Sequence, residues 1–381
     1  MKVSWKRWIF GIILPVALIV FLYVLQLILT KIPSAGEAYA KGPFLVFSFL
    51  PAKISSLVPI SLTEVFVVTL VLSSPILIAW LVIRIRRALK AKRGKKYFFN
   101  VGRVTAWTLF GIYLWFMLLH GINYTRYSLD DELGFGKRQY TIEELQEVYE
   151  WVIYGLDVTR SVCPEDENGV LTYPGGSKAF LNDMEDLYED AAKDFPMIKG
   201  NSARPKSVML SHYWSYTDIV GLYFPFFAEA NVNTDVPFVS QIYNACHEMS
   251  HLHGYAVEND ANLAALLIAL NSDCPQLQYA GFREAFDLIW TDLWIAYNGD
   301  REGFSEFVQS FYLVDGYFRD SEAIEKYWDS INPPEIVEQI SNATNDAYLK
   351  ANQQKEGVKS YNMPTSTIAD YYFTCVKGED A

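Results

Sequence analysis

The sequence predicts three membrane-spanning helices followed by a mainly helical α+β domain with a small sheet. Three long apolar stretches lie within the first 122 residues, and beyond them helical patterns dominate, interrupted by two short β-like runs. Charge divides the chain at the same place. Residues 1–122 carry 15 Lys/Arg against 2 Asp/Glu, a net of +13, whereas residues 123–381 carry 17 against 42, a net of −25; together they give the −12 of the 381-residue chain. A domain that acidic repels phosphates, which excludes nucleic acid as its partner.

Trp8 to Leu29 is apolar for 22 residues without a charge, long enough to cross a bilayer as a helix. It is too long, and lacks the small-residue cleavage site, for a removable signal peptide. A second span is expected at about 65–83, where Pro75 is tolerated with a kink, and a third at about 104–122, rich in Trp and Tyr. The run RIRRALKAKRGKK (Arg84 to Lys96) follows the second span. Together with Lys2, Lys6 and Arg7 it places the N-terminus in the cytoplasm, so that three crossings leave the C-terminal domain outside. The connector between the first two spans is partly apolar (PFLVFSFLP), and its pattern leaves a surface-lying and a re-entrant element equally open. The expected division is a membrane domain at 1–122, an extended linker at 123–140 with turns at Gly134 and Gly136, and an extracytoplasmic domain at 141–381.

Thr141 and Glu144 form a capping-box pattern ahead of a helix to about Leu156, with Leu145, Val148, Trp151 and Val152 inward. Residues 161–177 read as loop, and Lys178 to Asp194 as a second amphipathic helix. Lys206 to Ser211 and Leu222 to Phe227 are β-like; Pro225 has no amide for a ladder and marks the latter as an edge strand, suited to pairing with an extended peptide. EANVNTDVP reads as loop. Phe238, Val239, Ile242, Cys246 and Met249 then recur at helical spacing. Further helices are expected at Gln276 to Tyr297, Arg301 to Phe318 and Pro334 to Lys350. The four cysteines contain no CxxC pair, which argues against a zinc ribbon. No Gly-rich phosphate loop supports nucleotide chemistry.

The candidate chemistry lies in HEMSH, His247 to His251. Histidines four apart on a helix share a face and can hold two corners of a zinc tetrahedron, while Glu248 stands beside that face within reach of a metal-activated water. Given 5 histidines and 23 glutamates, chance produces HExxH in about one such chain in 250, so the motif is weighed with its context. Gly254 can end or bend the helix, and a second helix, about Glu258 to Asn271, can bring Glu258 back as third ligand; otherwise Glu258 simply favours a helix N-terminus. Asn262, four residues on, shares its face and could hold a ligand or a substrate carbonyl. Asp260, Asp273 and Glu284 are alternative third ligands, and His253 ranks below Glu258 because it points away. Val257 stands where a metzincin needs histidine. Candidates for stabilising an oxyanion are Tyr361, His212 and Tyr216, among which spacing does not choose.

HEMSHLHGYAVENDAN resembles the gluzincin signature, HExxH followed by a glutamate in ExxA[DN], with an unusually short separation. PKSVMLSHYWSYTDIVGLYFPFFAEANVN, CHEMSHLHGYAVENDAN and YLKANQQKEGVKSY resemble a bacterial membrane-protein family named only as a domain of unknown function. The gluzincin resemblance implies zinc held by His247, His251 and Glu258, with Glu248 as base, in a membrane-anchored metallopeptidase acting on a peptide or protein substrate. A zinc amidase acting on a non-peptide envelope substrate and a non-catalytic receptor or scaffold are the alternatives.

Overall fold

The apolar stretches fold as three helices long and apolar enough to cross a membrane, in a computed structural model that describes residues 4–334 and 366–379 and positions 337, 339, 343, 346, 347, 350 and 363. The first, α1, is Trp5–Leu29. The connector after it contains α2 (Pro33–Ala40) and α3 (Pro43–Leu57). The second long helix, α4, is Leu62–Lys90, and the third, α5, is Gly94–Leu119. The basic run expected as a connector is largely the end of α4; only Ala91 to Arg93 turn before α5 begins. Straight-chain cations favour helix, so α4 continues past its apolar part.

The connector that left two placements open folds against the C-terminal domain. Phe44, Ser48, Ala52 and Ser55, spaced along one face of α3, are buried. Ala52 packs with Ala203, Tyr223, Ala228 and Leu252, and Asn201 Nδ2 donates to the Leu45 carbonyl (2.6 Å) and to Ser48 Oγ (2.8 Å). The opposite face of α3, with Val46, Leu50 and Leu57, is exposed.

Residues 123–140 are not an extended linker. Gly121–Thr125 is a 3-10 turn and Leu129–Leu133 a short helix, and Asn123, Thr125, Leu129 and Phe135 are buried. The glycines do turn the chain, Gly134 at φ 78° and Gly136 at φ 76°. The segment is held by carboxylates far along the chain: the Leu129 amide donates to Asp260 Oδ1 (3.0 Å) and the Gly136 amide to Asp370 Oδ2 (2.9 Å).

The capping box starts α6 (Ile142–Ser161), which continues past the expected end and buries Leu145, Val148 and Val152, with Trp151 half-buried. Next comes α7 (Gly176–Ala191). Only Lys206–Ser207 of KSVMLS is strand (β1), because Ser211 already opens a helical turn. β2 is Gly221–Phe224, ended by Pro225, and β3 is Glu229–Val232, in a stretch that reads as loop. The sheet order is β1-β3-β2, with β1 parallel and β2 antiparallel to β3, so β2 is an edge strand as its proline predicts. Helices α8 (Phe238–Leu252), α9 (Glu258–Leu270) and α10 (Pro275–Ala296) form the core with α6. The single helix expected at Arg301 to Phe318 is two, α11 (Arg301–Gln309) and α12 (Asp315–Ser330). The helix expected at Pro334 to Lys350 falls largely outside the described residues. All four cysteines are free, and Cys246 is buried in the core.

β3 reads as loop because its polar residues are buried for their bonds. Glu229 accepts from the amides of Leu62 (3.0 Å) and Thr63 (2.7 Å) and from Thr63 Oγ1 (2.6 Å), so a fully buried carboxylate caps the N-terminus of α4. Glu64 in turn accepts from the amides of Met209 and Leu210 at 2.9 and 2.7 Å. Lys206 is buried beside them and donates from Nζ to the carbonyls of Ser55 and Val58. Burial, aided by Arg204 and opposed by Glu229 and Glu185, lowers its pKa to about 8.

Glu229→Ala leaves two amides buried without an acceptor and is expected to cost on the order of 3 kcal/mol, read as a lower thermal midpoint of the detergent-purified chain; an unchanged midpoint would refute the cap. Between pH 8 and 10.5 the unfolded chain holds more protons at Lys206 than the folded one, so stability should rise with pH across that window. In Lys206→Met this part of the rise should vanish from the pH dependence of the thermal midpoint.

Candidate metal centre

Helical geometry puts His247 and His251 on one face of α8, both nearly buried. The helix then stops. Gly254 takes φ 96°, a left-handed conformation that favours glycine, and a Cβ there would meet Phe44 Cε1 of α3 at 2.9 Å. Val257 is extended and Glu258 opens α9, so the chain doubles back within six residues. Arg126 holds this turn from outside. Its NH1 donates to the Gly254 carbonyl (3.2 Å), its guanidinium lies 4.3 Å from the Tyr255 ring centroid, and Glu37 of α2 pairs with it at 3.0 Å.

The turn delivers Glu258. Its Oε2 lies 3.3 Å from His247 Nε2 and 3.3 Å from His251 Nε2, and one ligand atom from each of the three residues falls within 4.8 Å of the others. The ligand atoms of a tetrahedral zinc with bonds of about 2.1 Å stand about 3.4 Å apart, so these separations fit that ion. The tautomer fits as well. His251 Nδ1 lies 2.6 Å from the Tyr255 carbonyl and donates to it, which leaves Nε2 as the nitrogen that faces Glu258 and that would bind an ion once its proton is lost. Burial opposes a charge on His251, but the Glu258 carboxylate outweighs it and lifts the imidazole to about 9. Burial likewise pushes Glu258 up, and the two imidazoles overcome it and hold the carboxyl well below its usual range.

Glu248 is buried beneath β2. Its carboxylate accepts from the Tyr223 amide, and a Cβ at Gly221 would meet Oε1 at 2.5 Å. Burial raises its pKa, with His247 and His251 opposing. A proton acceptor therefore lies directly under the sheet's edge strand.

The other candidates are placed apart from the three. Asp260 is occupied with the Leu129 amide and raised to about 7 by burial, and Asp273 is exposed. Glu284, raised to about 7 mainly by burial and then by Asp287, feels the charge of His247 but is outside the three-residue cluster. Asn262 is half-buried one turn beyond Glu258, and its carbonyl accepts from Tyr243 Oη (2.8 Å). His253 caps α8 and faces away, toward the Ile198 carbonyl and Ser202 Oγ, both at 2.9 Å. His212 is exposed and paired with Asp235 (2.9 Å), with Tyr216 Oη 3.4 Å from its other nitrogen; that pair forms a separate surface group. Tyr361 lies outside the described residues.

His120 is the residue that sequence reasoning missed. It follows α5 directly, is buried, and its ring centroid lies 6.0 Å from that of His251 and 5.5 Å from that of Tyr223. Nε2 is 3.2 Å from Tyr124 Oη, and Nδ1 has no hydrogen-bond partner among the described residues. It lies within the apolar stretch at 104–122, where a lone ionisable side chain at the end of the stretch is the signal that marks it.

Gly254→Ala is expected to cost about 1–2 kcal/mol through the left-handed backbone and the Phe44 contact, and to weaken metal binding more than tenfold by displacing Glu258. Metal titration of the purified variant checks this, and wild-type affinity would show that the turn does not set the position of Glu258.

No curated protein and no solved structure matches the chain. Residues 39–367, from α2 through both later long helices, the sheet and the His247–His251–Glu258 cluster, match the model of the family described as "Protein of unknown function (DUF3810)", and the chain belongs to that family.

Proposed function

We propose that the chain is a membrane-anchored zinc metallopeptidase of gluzincin type, cleaving peptide bonds of a peptide or protein substrate outside the cytoplasm. The observation that carries this reading is the convergence of Glu258 with His247 and His251, with Glu248 buried beside them under an edge strand. The three residues would hold the ion. Zinc bound there supplies a lowered water pKa and polarisation of the scissile carbonyl.

The remaining work falls to the chain's own groups. Glu248, its pKa raised by burial, accepts a proton from the attacking water and returns it to the leaving amine. β2 has a strand on one side only, so an extended peptide can pair with its other side and lie over Glu248. His120, buried beside His251 with Nδ1 unpartnered among the described residues, is the imidazole we assign to donate to the carbonyl oxygen as charge develops there. The orientation follows from the cations at the α4–α5 turn and near the N-terminus, which the positive-inside rule puts in the cytoplasm.

The test uses full-length protein purified in detergent. One zinc per chain is expected by elemental analysis, and His251→Ala or Glu258→Ala should lose it. Glu248→Gln should keep zinc and lose peptide hydrolysis by about 10²–10⁴-fold, and His120→Ala should keep zinc and lower kcat by about 10²-fold. Absence of bound zinc at micromolar free metal overturns the reading. Full zinc occupancy with no hydrolysis of a mixed peptide library would favour a metal-stabilised scaffold.

A further inference from the structure

The first 122 residues hold 15 cations and only two acids, and both acids are engaged near the C-terminal domain. Glu37 pairs with Arg126 and Lys41, and Glu64 accepts from the Met209 and Leu210 amides. At the opposite end of the long helices a cavity of about 1820 Å³ opens between α1, the α4–α5 turn and α5. Lys6 and Arg7 line it from α1, Lys92 and Arg93 from the turn, and Lys95, Lys96 and Arg103 from α5; no carboxylate lines it. None of these seven cations has an ion-pair partner among the described residues.

The cationic lining extends along α5. Arg103 stands nine residues into α5, about 13 Å along the helix axis. Its stem passes α1 where glycine leaves room: a Cβ at Gly11 would meet Arg103 Cγ at 3.3 Å and Phe99 Cζ at 3.1 Å. Around Gly11, residues Ile9–Ile13 are wound as a π-helix, and Trp107 Nε1 donates to the Phe10 carbonyl (3.1 Å) across the two helices. Trp8 packs edge-on against Phe99 with centroids 5.0 Å apart. The result is an aromatic-walled groove with a cationic lining that reaches along α5 to Arg103. These cations stand at the end of the long helices that the positive-inside rule assigns to the cytoplasm, and no carboxylate among the described residues lines the groove to balance them.

The geometry points to a binding site for one anionic phospholipid of the leaflet on the side away from the C-terminal domain, its phosphate among Arg93, Lys96 and Arg103 and its acyl chains along Phe10 and Trp107. Charge selects the headgroup, and the exposed aromatic wall selects a lipid over a free anion. The inference rests on the reading that these helices span a bilayer and is independent of the metal centre.

Native mass spectrometry of the full-length protein in mild detergent tests it, with phosphatidylglycerol, phosphatidylcholine and inorganic phosphate as probes. Phosphatidylglycerol should bind at least tenfold more tightly than phosphatidylcholine. Arg103→Gln should weaken it at least tenfold. Because the Arg103 stem runs close to Gly11 of α1, the rim variant Lys92→Gln/Arg93→Gln provides a second test that leaves that contact intact, with at least a threefold loss expected. Equal binding of the two lipids, or unchanged phosphatidylglycerol affinity in both variants, overturns the site. Displacement of phosphatidylglycerol by millimolar inorganic phosphate overturns it in favour of a small-anion site. Retention of the chain in membranes after alkaline carbonate washing checks the spanning reading separately.

Discussion

Much of this structure depends on the bonds that Glu229 accepts from the start of α4. A buried carboxylate is tolerated only when every lone pair finds a donor, and here the donors are the first amides of a long apolar helix, which need an acceptor for their own reasons. The pairing joins the central strand of the sheet to the end of α4. Glu64 and Lys206 add bonds in the same seam, so the helices and the sheet share one polar interface as well as apolar contacts.

The candidate metal centre hangs from that interface. β3 carries Glu229 and pairs with β2; β2 covers Glu248; and α8, which holds Glu248, His247 and His251, packs against α3 through Leu252 and Ala52. The turn that returns Glu258 to the histidines is pressed by Phe44 from α3 and held by Arg126 from the segment after α5. Residues ahead of position 141 therefore shape the centre as directly as those in the acidic domain.

What was legible in the sequence was local in origin. The four-residue spacing of His247 and His251, the helix-ending Gly254, the Thr141 capping box, the Pro225 edge strand and the three apolar stretches each encode their structure within a few residues. What was hidden depended on distant partners. Glu229 and Asn231 look like loop residues until the start of α4 satisfies them, and 123–140 looks extended until Asp260 and Asp370 receive its amides. His120 was hidden by its neighbours: it belongs by sequence to an apolar stretch and by position to a polar cluster. α11 and α12 were merged because their amphipathic patterns run on across the break between them.

The position of His120 has a geometric consequence. Its ring centroid is 6.0 Å from that of His251 and the residue is one past the end of α5, so the cluster sits at the end of that helix. If α5 crosses a bilayer, the length of that helix sets the height of the cluster, and any shift of α5 along its axis would carry His120 with it.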